Sequence, residues 1–152
     1  MSGLKKKNSR QKLLVTIAAG IVAGLLISSI TIQNIEDCVF VGERCYKLEK
    51  VEDEQSRIRG LSGRESLAED EGMLFVFDNP GPQCMWMKEM SFSLDMIWLD
   101  GGGKVVHMAE NISPDTYPRN FCSESSARYV IELNRGSIGG ARLQIGDSVV
   151  VN

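Results

Sequence analysis

Asp95 and Lys88 are the residues of this chain whose types and spacing first suggest chemistry. They share the stretch from Met85 to Asp100, which holds two tryptophans and four methionines around the charges Lys88, Glu89, Asp95 and Asp100. As a pair, Asp95 and Lys88 could supply a general acid and a general base, or a polar floor for a sugar or carboxylate ligand. The bland alternative is a structural carboxylate. Asp95 interrupts the apolar run 94–99, and a buried carboxylate needs a cation such as Lys88 or Arg64, or backbone N–H donors. Trp86 and Trp98 could stack on a ligand ring, although core packing is the commoner role of tryptophan in such apolar surroundings. The methionines read as core fillers before they read as thioether ligands for copper.

Other catalytic groups find no partners in the sequence. Ser62 lies in Gly60-Leu61-Ser62-Gly63, which is not a G-x-S-x-G elbow, and His107 is the only histidine. The four cysteines, Cys38, Cys45, Cys84 and Cys122, include no C-x-x-C pair, so disulfides are expected and metal is not. Four cysteines allow three connectivities. A local bridge from Cys38 to Cys45 would leave Cys84 with Cys122. No cofactor is expected.

The elements that must position these residues occupy the last three-quarters of the chain. Residues 1–12 carry Lys5, Lys6, Lys7, Arg10 and Lys12 with no acid, and residues 13–32 then run without a charge. As a helix those residues would reach roughly 30 Å, the thickness of a bilayer core. We read 1–12 as a cytoplasmic tail, 13–33 as a transmembrane signal anchor in contact with the lipid bilayer, 34–38 as a collar, and 39–152 as an extracytoplasmic domain. A cleaved signal peptide and a buried soluble helix are the competing readings of the apolar run. The overall charge of −3 includes five basic residues in the tail, which leaves −8 for the remainder. An acidic domain of this kind is a poor nucleic-acid binder.

Within 39–152, residues 39–41 and 45–51 read as a hairpin turning at Gly42, and 52–61 as a short amphipathic helix with Ile58 and Leu61 on one face. Residues 72–77 form an apolar strand that the prolines and glycine of 78–82 should end. The run 94–99 pairs through Gly101-Gly102-Gly103 with 104–109. A long polar loop covers 111–126. A half-buried strand follows at 127–133, with Arg128, Val130 and Glu132 on its second face. Residues 137–143 make a helical turn weakened by glycine, and 148–151 a last strand. The expected fold is α+β and β-rich: a compact bent antiparallel or mixed sheet, or a partly closed barrel, with one or two short helices, preceded by a single transmembrane helix.

Four ordered motifs then place the chain among known sequences. Arg59-Gly60-Leu61-Ser62-Gly63-Arg64, Gly72-Met73-Leu74-Phe75-Val76-Phe77, Trp86-Met87-Lys88 followed by Leu94-Asp95-Met96-Ile97, and Gly146-Asp147 together resemble Domain of Unknown Function 192. That family of small domains is widespread in bacteria and archaea, is often exported, and has no established activity. The resemblance runs from about Val39 to Val151 and implies that Arg64, Trp86, Lys88 and Asp95 are the positions to watch. The chain departs from the family at Ser62, where a methionine is usual, at Glu89, where an asparagine is usual, and at Ser93, where a proline is usual.

The leading functional expectation is a membrane-tethered extracytoplasmic module that binds a small polar ligand or glycan through Arg64, Trp86, Lys88 and Asp95. A small envelope enzyme acting on glycans through Asp95 and Lys88 is the alternative. A structural module for membrane proteins is the third reading.

Overall fold

The computed structural model describes residues 38–151. The tail and membrane anchor expected over 1–33 and most of the collar lie outside the described residues, among which no helix is long and apolar enough to cross a membrane. In chain order the elements are β1 (Val39–Val41), β2 (Arg44–Val51), α1 (Glu54–Arg59), β3 (Glu71–Gly81), β4 (Cys84–Trp86), β5 (Leu94–Leu99), β6 (Val105–Ile112), a 3-10 turn (Pro114–Thr116), β7 (Asn120–Cys122), β8 (Ala127–Asn134) and α2 (Ser137–Ala141). Six strands build one curled sheet in the order β1-β2-β3-β8-β5-β6, and β4 pairs with β7 in a separate two-stranded ribbon. Among the described residues only β2 and β3 run parallel, and α1 lies in their connection.

The sheet carries apolar residues on both faces, so Gly72–Val76 of β3, all of β5 and Val130–Leu133 of β8 are buried on both sides. Alternation along β3 sends Leu74 and Val76 to one core and Met73 and Phe75 to the other. All six residues of β5 are buried, with Leu94, Met96 and Trp98 in the Phe75 core and Ile97 and Leu99 in the Leu74 core. Trp98 belongs to this packing: its indole N–H donates to the carbonyl of Gln83 at 2.9 Å and its ring meets His107 at 4.9 Å between centroids. Gly72 sits in the sheet between Leu48 and Leu133. A Cβ there would approach their side chains to 2.8 and 2.5 Å, so the small residue is what lets the two leucines close over the strand.

Several local expectations change in three dimensions. Strand β3 continues to Gly81 instead of ending at Asp78, because its register with β8 shifts between Val76 and Gly81 and frees Pro80 from donating to that ladder. Leu61 is buried, yet Ile58 is 52% exposed, since Gly60 at φ +49° stops α1 and turns the chain before Leu61. Strand β8 is buried on both faces from Val130 to Leu133, Glu132 included, because β3 and β5 flank it there. The 111–126 segment is held by the 3-10 turn, by β7 and by a Cys84–Cys122 disulfide that staples the β4–β7 ribbon. A second bridge joins Cys38 to Cys45. Residues 148–151 make one bridge, Lys104 with Ser148, and no strand. Asp147 shapes the preceding turn by accepting from the Gln144 N–H at 2.8 Å.

Candidate functional site

The four residues singled out by the sequence do not converge. Asp95 is fully buried. One carboxylate oxygen accepts from the Asn111 N–H at 2.8 Å and the other from the Ile138 N–H at 2.9 Å. Those donors lie at the end of β6 and at the start of α2, on the Leu74 side of the sheet. Lys88 instead is half exposed, 4.0 Å from Glu89. The Asp95–Lys88 pair is therefore not assembled, and backbone donors, not Arg64, hold the carboxylate.

Arg64 pairs with Glu49 at 2.5 Å and borders a shallow hollow of about 280 Å³ that also includes Val51 and Met73. Two of the motifs do meet here. The Ser62 hydroxyl donates to the Lys88 carbonyl at 2.8 Å, and the Gly63 N–H donates to the Glu89 carbonyl at 2.9 Å. These bonds seat the Gly60–Arg64 turn against the Lys88–Glu89 turn. Glu89 has φ +55°, a conformation that asparagine tolerates better than glutamate.

Trp86 is the one of the four that lines a second cavity, a space of about 270 Å³. One wall is α1 with the turn after it, contributing Arg57, Ile58 and Leu61; a second is β3 with Phe75 and Phe77; a third is β4 with Met85 and Trp86. Helix α1 is fixed by local chemistry. Asp53 caps it by accepting from the Ser56 N–H at 2.9 Å, and hydrogen bonds from Ser56 hold the Asp53 carboxyl below its ordinary value. The Arg57 guanidinium donates to the carbonyls of Val76, at 3.0 Å, and Glu52, and lies 5.3 Å from the Phe77 ring centre, which ties the helix to β3.

Glu132 completes the cavity from β8. Its residue is 3% exposed, and its carboxyl has no hydrogen bond or ion pair among the described residues. Its cross-strand neighbours are Met73 and Met96. Burial without a compensating charge pushes its pKa up from 4.5 to about 8. The alternation of 127–133 placed Glu132 beside Arg128 on a face expected to be half solvated, and so concealed it. The available signal was a single acid set between Val130-Ile131 and Leu133 in a strand that the sheet puts at its centre. Chemically the cavity offers aromatic walls, a carboxyl whose pKa burial raises, and the charged side chains Glu54, Arg57 and Arg59. Among the described residues no three histidine, cysteine, aspartate or glutamate side chains converge as a metal site.

Comparison with known proteins follows the same boundaries. Residues 38–151 match the family model DUF192, described as an uncharacterized ACR. A crystal structure from Sinorhizobium meliloti 1021, named as a candidate transcription regulator, superposes with a TM-score of 0.69 at 29% identity over 74% of this chain and 89% of that one. A protein of unknown function from Novosphingobium aromaticivorans DSM 12444 gives a TM-score of 0.69 at 23% identity, covering 75% of this chain and 82% of that one, and shares the fold. No curated protein matches the chain.

Proposed function

Because the chain belongs to the DUF192 family, whose description names no activity, we propose a function from the cavity itself: a membrane-tethered extracytoplasmic module that binds a small ligand beside Trp86. The observation that carries this reading is the unpartnered carboxyl of Glu132 lining one cavity with Phe75, Phe77, Met85 and Trp86. A mostly apolar hollow with a few placed polar groups is the usual form of a small-molecule site. The ligand contacts are Trp86 and Glu132. In this reading Arg64 and Lys88 shape the turns beside the cavity, and Asp95 supports the fold.

The tether rests on the uncharged run 13–32 behind a basic start. Two disulfides in the domain agree with an oxidising compartment. The net charge of −8 beyond the apolar segment argues against contact with phosphate backbones, so the name given to the Sinorhizobium protein is not carried over. Thermal unfolding of the oxidised full-length chain with envelope metabolites and glycans tests the binding reading. A true ligand raises the wild-type midpoint, by the equivalent of about 2.7 kcal/mol at a hundred times its Kd, and leaves Trp86→Ala unmoved. A screen in which no compound separates the two proteins overturns it. For the tether, the chain should stay with membranes through an alkaline carbonate wash, and its release would refute the anchor.

An enzyme is the second reading, favoured by the placement of the nearly buried Glu132 on the cavity, where burial raises its pKa. A carboxylic acid kept protonated near neutral pH by an apolar pocket is suited to act as a general acid. That role would fall to Glu132 in place of Asp95 and Lys88. Glycan turnover lost in a folded Glu132→Gln variant would decide for it.

A further inference from the structure

We infer that the cavity takes a small organic cation, a compound whose ammonium group reaches the carboxyl of Glu132 and whose apolar body lies among Phe75, Phe77 and Trp86. This rests on the binding reading above and specifies its ligand class. Glu132 is 3% exposed, its carboxyl has no partner among the described residues, and it borders the cavity. A buried acid of this kind is satisfied best by a group that brings both hydrogen-bond donors and opposite charge. Ring faces carry negative potential, and three aromatic side chains lining the same cavity as the acid favour a cation over a neutral body of the same shape. An anion would meet the acid itself.

The remaining charges at the cavity do not reverse this preference. Arg57 is committed to the carbonyls of Glu52 and Val76. Arg59 is exposed at the end of α1, where solvent screens it, and Glu54 on the same helix opposes it. The strands that flank Glu132 present Met73 and Met96 to it, and β4 presents Met85 and Trp86, so none of these contributes a second titrating group. Since burial holds Glu132 protonated up to about pH 8, an ammonium ion must displace that proton when it binds. Affinity for the cation therefore rises with pH until the amine itself loses its charge.

The test uses the oxidised full-length chain with benzylamine, benzyl alcohol and benzoate as matched probes, by calorimetry at pH 6, 7 and 8. Benzylamine should bind at least about tenfold more tightly than either analogue at pH 8, and at least about tenfold more weakly at pH 6 than at pH 8. Glu132→Gln should lose this preference and the pH dependence. Should that variant fail to fold, the wild type alone still decides: at pH 7 benzylamine binding should release close to one proton, read from the dependence of the heat on buffer ionisation. Equal affinity for the amine and the alcohol, or amine binding without proton release, overturns the inference. If a compound of another class stabilises the wild type and not Trp86→Ala, the binding site stands and the cation class falls. If nothing binds, both fall.

Discussion

A carboxylate oxygen of Asp95 accepts the backbone N–H of Ile138 at 2.9 Å, across 43 residues of chain. Helix α2 begins after Gly136, which has no side chain to cap it, so an interior strand of the sheet, β5, supplies the cap. The other oxygen holds Asn111 at the end of β6. One buried side chain thereby fixes α2 and the end of β6 to β5. Asp95→Asn keeps one acceptor and sets an amide N–H₂ against a backbone N–H, which should cost about 3 kcal/mol. Lys88→Met, at an exposed position 4.0 Å from its nearest acid, should change stability by less than about 0.5 kcal/mol. Urea unfolding of the two variants measures both, and equal losses would mean that the two side chains share one site after all.

Glu132 predicts an unusual dependence on pH. Its folded pKa of about 8 lies above the unfolded 4.5, so the folded state holds a proton that the unfolded state releases in between. The contribution is complete below about pH 4.5, falls by roughly 1 kcal/mol per pH unit up to about pH 8, and is flat beyond. Glu132→Gln removes the slope. The difference in stability between wild type and this variant, measured from pH 4 to 9, should decline through that window; a constant difference would show that the carboxyl is partnered in solution.

Glu89 occupies left-handed backbone at φ +55°. Glu89→Asn or Glu89→Gly should raise stability by about 1 kcal/mol, since the strain is relieved and the exposed side chain forfeits only a weak ion pair. A loss of stability in the asparagine variant would indicate that the carboxylate of Glu89 makes a contact of greater value in solution.

The Cys84–Cys122 bridge closes 38 residues and holds the ribbon that carries Met85 and Trp86 to the cavity. Replacing both cysteines by serine should cost roughly 3 to 4 kcal/mol and weaken any ligand that depends on Trp86. Gradual denaturant unfolding of the double variant reports the first effect and Trp86-dependent thermal shifts the second. A variant with full stability and full binding would show that the β4–β7 pairing suffices without its staple.

Much of this protein was legible along the chain. Turn and hairpin chemistry placed β1 with β2 and β5 with β6. The four motifs identified the family over the described domain, and the position of Asp95 inside an apolar strand already demanded a partner. These features are local, because periodicity, glycine placement and the cost of an unpaired buried charge act over a few residues. The candidate site was not local. Glu132 and Arg128 follow the same alternation in sequence, and only the register separates them: Glu132 lies between Met73 and Met96, whereas Arg128 falls past the end of the β5 pairing and beside the irregularity in β3.

The same reason divides what each level determined. From its sequence alone the chain is a β-rich domain with two permitted disulfides behind a basic, apolar start, and its acidic balance disfavours nucleic acid. Tertiary structure decided that Asp95 caps a distant helix, that Lys88 stays at the surface, and that Glu132 opens onto a cavity beside Trp86. Which neighbours a strand receives on each side is set by the order of strands in the sheet, and that order brings together residues that no sequence spacing relates.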